Sequence, residues 1–136
     1  MDFKAFKMDG LGNDFVIIDN RQKVTDLSRE QIIKICDRNF IGCDQLILIE
    51  NDNNADARLK FFNSDGSRSD ACGKGTRCVA YLLGIEKNKK EVEIIVSSKK
   101  LYSKIFDDKD VETKIGAPSL ESVSYTHLTL PTTPYV

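Results

Sequence analysis

Thr76-Arg-Cys-Val-Ala-Tyr-Leu-Leu83 is the stretch on which the fold turns. From Cys78 onward its residues are apolar almost without a break, so a helix made from them has hardly any polar face and must be wrapped by other elements rather than laid on a surface. The flanking sequence supplies sheet. Beyond Gly84, where the helix is expected to weaken, and the solvated run Lys87-Asn-Lys-Lys90, residues 92–97, 101–106 and 111–115 carry strand patterns, with Asp107-Asp-Lys-Asp110 turning between the last two. On the other side, residues 45–50 and 57–62 read as strands joined by the polar loop Asn51-Asp-Asn-Asn54, which leaves Asn63 at a strand end. Further back, residues 3–8 and 15–19 form a hairpin-like pair across Gly10-Leu-Gly12, where glycine accepts positive φ. Ser28 and Gln31 make a capping box, and Ile32, Ile35, Cys36 and Phe40 follow at helical spacing, which predicts an amphipathic helix ending near Asn39. The expected class is α+β, strand-rich, with sheet around a central helix.

A chain of 136 residues can bury a real core and is too short for two full domains. Twenty Lys plus Arg against 21 Asp plus Glu leave a net charge of -1, which gives no field to gather nucleic acid or an acidic membrane. The expected partner is a small molecule. No apolar segment approaches the roughly 18 residues of a spanning helix, and the start, Met1-Asp-Phe-Lys-Ala-Phe-Lys7, lacks the apolar stretch of a signal peptide, so a cytoplasmic location is expected. The four cysteines, Cys36, Cys43, Cys72 and Cys78, are irregularly spaced and read as free thiols. With one histidine and no Cys-x-x-Cys pair, no metal site is implied. His127 lies in a stretch after Leu120 that holds two of the three prolines and four threonines but no helical or clean strand periodicity. That stretch is expected to pack poorly, with His127 incidental.

Chemistry concentrates at three polar islands: Gly10-Leu-Gly-Asn-Asp-Phe15, Gly42-Cys-Asp-Gln45, and the run from Asn63-Ser-Asp-Gly-Ser67 to Ala71-Cys-Gly-Lys-Gly-Thr-Arg77. Cys72 falls where the apolar helix begins. Backbone amides and the positive dipole end depress a thiol's pKa there, and Lys74 and Arg77 add positive charge. Gly73 and Gly75 leave backbone N–H groups open to a bound carboxylate. A thiolate so placed either attacks a carbonyl or takes a proton from a carbon next to a carboxylate. A cysteine protease needs a general-base histidine, and none is placed for it; proton abstraction needs no such partner. Cys78 reads as core, Cys36 and Cys43 as structural.

Four segments together, Lys7-Met-Asp-Gly-Leu-Gly-Asn-Asp-Phe15, Gly42-Cys-Asp-Gln45, Phe62-Asn-Ser-Asp-Gly-Ser67 and Ala71-Cys-Gly-Lys-Gly-Thr-Arg77, resemble the amino-terminal half of diaminopimelate epimerase, in the family's order. The resemblance runs through Val111-Glu-Thr-Lys-Ile-Gly-Ala-Pro118, about 118 residues. It implies a domain at residues 1–120, one of two pseudo-symmetric halves, each a curled mixed or antiparallel sheet around a central helix; residues 121–136 form a tail unlike the family. It also implies cofactor-independent, two-base interconversion of LL- and meso-diaminopimelate, a small dicarboxylic amino acid of lysine and peptidoglycan synthesis, in the cleft between the halves. Cys72 is then one of the two bases, Asn13, Gln45 and Asn63 hold the substrate or support the site, and the Gly73 and Lys74 amides grip the reacting carboxylate. Asp9 stands where the family usually has histidine, and Lys74 where it usually has asparagine.

The second cysteine belongs to the family's other half, which this sequence does not include. The isolated chain is therefore expected to be inactive and to associate through the apolar face meant for that half; the family's homodimer is a separate expectation. Two alternatives stay open. One is a related cofactor-independent racemase or isomerase of the proline, hydroxyproline or phenazine-biosynthesis type. The other is a non-catalytic fragment that binds small carboxylates.

Overall fold

The computed structural model describes residues 5–10, 12–22, 26–69, 73–106, 110–115 and 126–127. Gly12, at φ +94°, turns the first hairpin, so that β1 (Ala5–Gly10) pairs antiparallel with β2 (Asn13–Asp19) and Gly10 faces Asn13. Both strands extend to the turn, farther than the apolar residues alone mark them.

Helix α1 (Arg29–Cys36) opens on the expected capping box: the Gln31 N–H donates to Ser28 Oγ at 3.2 Å, and the Ser28 N–H donates to Gln31 Oε1 at 2.8 Å. It ends at Cys36, short of the expected Asn39. Asp37 is extended, and its Oδ1 accepts the Asn39 N–H at 2.9 Å, a local turn that competes with further helical bonding. Phe40, expected on the apolar face, instead lies 55% exposed, with Lys34 Nζ 5.7 Å above its ring.

After α1 come β3 (Gln45–Glu50), β4 (Ala57–Asn63), the short β5 (Arg68–Ser69), α2 (Gly73–Lys87), β6 (Glu91–Val96), β7 (Lys99–Ile105), β8 (Asp110–Ile115) and β9 (Thr126–His127). The described strands form one sheet in the order β1-β2-β3-β4-β6-β7-β8-β9, with β5 added to β4. Strands β2 and β3 pair parallel, as do β4 and β6, and the other pairs are antiparallel. The sheet is thus mixed and strongly antiparallel, and it curls around α2. Within the stretch after Leu120, residues 126–127 are strand, with Thr126 opposite Val111; the sequence there shows no strand pattern, because two residues are too few to establish a period.

Alternation divides the buried side chains between two faces. On β2 and β3, Phe15, Ile17, Ile47 and Ile49 join the core around α2, while Val16, Ile18, Leu46 and Leu48 join the core under α1. These two strands are covered on both faces, which is why they read as unbroken apolar runs. Strand β6 alternates, with Val92, Ile94 and Val96 facing α2. Helix α2 is buried continuously from Gly75 to Tyr81, and Cys78 is fully enclosed, as its lack of a polar face requires. It does not weaken at Gly84 but runs to Lys87. A Cβ at Gly84 would overlap Ile105 Cδ1 and lie 3.0 Å from the Lys89 carbonyl oxygen, so this glycine serves close packing. The helix stops at Asn88, whose φ of +51° lets the Lys89 N–H donate to the Gly84 carbonyl at 3.0 Å.

Candidate active site

Because β2 and β3 are parallel and β4 runs against β3, the starts of β2 and β3 and the end of β4 lie at one rim of the sheet. Gln45 sits opposite Asn63 and beside Phe15, two residues after Asn13. The Gln45 amide nitrogen donates to Asn63 Oδ1 at 3.3 Å and to Ser69 Oγ at 3.0 Å. Asn63 Nδ2 in turn donates to Ser67 Oγ at 3.1 Å. Backbone bonds fold the intervening segment tightly: the Asn63 N–H donates to the Ser67 carbonyl and the Gly66 N–H to the Asn63 carbonyl, with Gly66 at φ +85°.

The head of α2 closes the same rim. Lys74 Nζ donates to Asn13 Oδ1 at 3.1 Å, which ties the first turn of the helix to the start of β2. Gly73 is the first residue of α2, where backbone N–H groups point along the axis toward an incoming anion. A Cβ on Gly75 would come 2.8 Å from Phe61 Cε2 and 2.9 Å from Ile47 Cδ1, so only glycine lets the helix settle this deeply on β3 and β4. Arg77 is buried, and a Cβ on Gly73 would lie 3.3 Å from its Nη1; the guanidinium therefore underlies the helix head rather than reaching into solvent. Cys72 lies outside the described residues, as do Asp70 and Ala71. Of the six candidate residues, Asn13, Gln45, Asn63, Gly73 and Lys74 are thus brought to one rim.

Beside Asn13 stands a charge cluster that the sequence reading overlooked. Asp14 accepts from Arg38 Nη2 at 3.0 Å and from the Asp44 N–H at 2.9 Å, and pairs with Lys7 Nζ at 3.3 Å. Its own N–H donates to Asp44 Oδ2 at 3.1 Å. Burial works against the Asp14 charge, but the hydrogen bonds from Arg38, the Asp44 amide and Lys7 outweigh it and hold the carboxyl well below the ordinary carboxylate range. The signal for this cluster was present in the Gly10 to Phe15 motif, which carries Asp14 next to Asn13. Ser67 and Ser69 were also overlooked, since a serine after a turn reads as loop. Asp9, exposed on β1, pairs in register with Asp14. A separate cavity of about 690 Å³, lined by Asp56, Lys89, Glu91, Glu93 and Tyr102 among others, opens near the opposite end of β4 and shares no residue with the rim.

The same fold recurs in solved structures. The chain matches a Bacillus anthracis phenazine biosynthesis protein of the PhzF family with a TM-score of 0.61 and 21% identity, over 85% of this chain and 40% of that one. It matches a hydroxyproline epimerase from Agrobacterium vitis, solved with bound trans-4-OH-L-proline, with a TM-score of 0.58 and 13% identity over 82% and 40%. These likenesses define the fold. The chain belongs to the diaminopimelate epimerase family, whose profile matches residues 5–121. It is 62% identical over 120 residues to a diaminopimelate epimerase of Pelagibacter ubique, covering 88% of this chain and 44% of that protein. With a diaminopimelate epimerase of Acidiphilium cryptum it shares 44% over 115 residues, 84% of this chain and 42% of the relative. The chain spans less than half the length of these curated relatives. Among the described residues no helix is long and apolar enough to cross a membrane.

Proposed function

We propose that residues 1–120 are the amino-terminal catalytic half of a cytoplasmic, cofactor-independent diaminopimelate epimerase, with residues 121–136 a tail outside the family. The observation that carries this reading is the rim itself: the family match spans it, and there the Asn13–Lys74 and Gln45–Asn63 bonds bring residues from four segments beside the head of α2. In this reading Cys72, the residue before Gly73, is one of two bases. Its thiolate takes the α-proton of the amino acid from one face of the carbon while a thiol of the other half delivers a proton to the opposite face. A single base on one face tends to return the proton where it came from, so each half needs the other. The Gly73 and Lys74 amides hold the reacting carboxylate as negative charge builds on it, which is where fixed donors matter most. Asn13 and Asn63 bind the substrate, and Gln45 holds Asn63 in place.

The test is interconversion of LL- and meso-diaminopimelate in deuterated water, with the chain alone and with the carboxy-terminal half of the Pelagibacter ubique relative added. The chain alone gives no epimerisation; the recombined halves incorporate deuterium at the α-carbon, and Cys72→Ala lowers that rate by about 100-fold or more. Absence of exchange in a folded, recombined complex would sink the proposal. One other reading is a domain that binds small carboxylates without catalysis, at the backbone N–H groups of Gly73 and Lys74 at the head of α2. Saturable binding with no exchange in either preparation is its signature.

A further inference from the structure

Cys36 ends α1 and Cys43 leads into β3, and the fold holds them side by side. The Cys43 N–H donates to the Cys36 carbonyl at 3.2 Å, and the Gly42 N–H donates to the Ile35 carbonyl at 3.0 Å. Gly42 makes the reversal at φ +83°, where a Cβ would come 2.9 Å from Arg38 Cα, so glycine is what lets the chain cross this closely. The two sulfurs are 3.4 Å apart. Both thiols are buried, 4% and 2% exposed, in the core under α1, on the sheet face opposite α2. They are therefore separate from the rim chemistry assigned to Cys72.

We propose that Cys36 and Cys43 form a reversible thiol–disulfide pair, a modification site oxidised by a small hydroperoxide and restored by a small thiol. The geometry carries it. A disulfide needs backbones that approach closely and sulfurs about 2.05 Å apart, so the pair has only about 1.3 Å to close. A direct backbone bond between the two residues already supplies the approach. The loop between them leaves residues 37–40 exposed, which gives a small oxidant its path. Within the pair, the hydrogen bond donated by Cys43 lowers the Cys36 pKa; burial opposes this, and the charge of Arg38 assists it. Cys43 moves the other way, raised by the same hydrogen bond and by burial, so Cys36 is the attacking sulfur.

The Cys36 thiolate attacks one oxygen of hydrogen peroxide, the O–O bond breaks, and water leaves with the thiol's proton. Cys36 is then a sulfenic acid. Cys43 attacks that sulfur, the S–S bond forms, and hydroxide departs with the Cys43 proton as a second water. Two thiols have lost two hydrogens, and one peroxide has been reduced to two waters. The new bond ties the end of α1 to the segment that carries Asp44 and Gln45. This inference does not rest on the proposed epimerase activity.

Trypsin reads the outcome directly, because Lys34, Arg38 and Arg58 place Cys36 in peptide 35–38 and Cys43 in peptide 39–58. The reduced, folded chain is treated with hydrogen peroxide, its remaining thiols are alkylated, and it is digested without reductant. The expected product is the two peptides joined, separable by dithiothreitol, present equally in Cys72→Ser and absent in Cys43→Ala. The melting temperature of the oxidised Cys72→Ser chain should rise by about 5 °C or more. The inference is overturned if both peptides emerge alkylated at peroxide that fully oxidises glutathione, or if Cys36 proceeds to sulfinic acid with no link. A link that forms only after the chain is unfolded in urea overturns it equally, since the folded geometry is then not its cause.

Discussion

At the scale of single residues, the rim depends on where a side chain is forbidden and where a charge is held. Gly75 is the first kind. Phe61 and Ile47 leave no room for even one carbon, so Gly75→Ala should cost about 1–3 kcal/mol through overpacking, although alanine is the better helix former. A urea titration of the variant that matches or exceeds the parent would show that the helix head can lift without penalty. Asp14 is the second kind. Its folded pKa lies below the unfolded value of 3.8, so its stabilising contribution is complete above that value and is lost as the pH falls toward the folded pKa. Lys7 and Arg38 pair with it, and Arg38 also pairs with Asp44, the acid beside it. Asp14→Asn should therefore lower the urea midpoint at about pH 7 and narrow the gap to the parent at about pH 3. A gap that is constant with pH would mean that Asp14 acts by shape alone.

At the scale of elements, α1 owes its start to a local device and α2 owes its existence to burial. The reciprocal Ser28 and Gln31 bonds satisfy donors that an eight-residue helix has few ways to offset. Ser28→Ala is expected to cost about 1 kcal/mol, read from chemical denaturation, and Ser28→Asp to restore most of it. Equal losses in both variants would point away from the cap. Helix α2 behaves differently: it carries Gly73, Gly75 and Gly84, each unfavourable to a helix, and persists because sheet surrounds it. Propensity was therefore a poor guide to its ends, whereas its apolar run was a sound guide to its place.

At the scale of the molecule, the sheet is sandwiched unevenly. Strands β2 and β3 lie between the α1 and α2 cores, whereas β7 keeps Tyr102 and Lys104 on an open face. Native-state hydrogen exchange should accordingly find the slowest amides in β2 and β3 and faster ones in β7. The reverse order would show that the β6–β8 side, not the doubly covered strands, holds the structure together.

Local chemistry was enough to read the first hairpin, the cap of α1, strands β3 and β4, and the demand that the residues after Thr76 be enclosed, because each depends on neighbours a few positions apart. The make-up of the head of α2 was legible for the same reason: Gly73, Lys74, Gly75 and Arg77 are close neighbours in sequence. What tertiary structure alone decided is how distant segments meet. The parallel pairing of β2 with β3 brings Asn13 and Gln45 to one rim, and the reversal at Gly42 sets Cys36 against Cys43. It also makes Gly84 a packing contact with Ile105 instead of a stop. Periodicity records which face of an element is buried; it carries no information about which other element buries it, and that is settled only when the sheet closes around the helix.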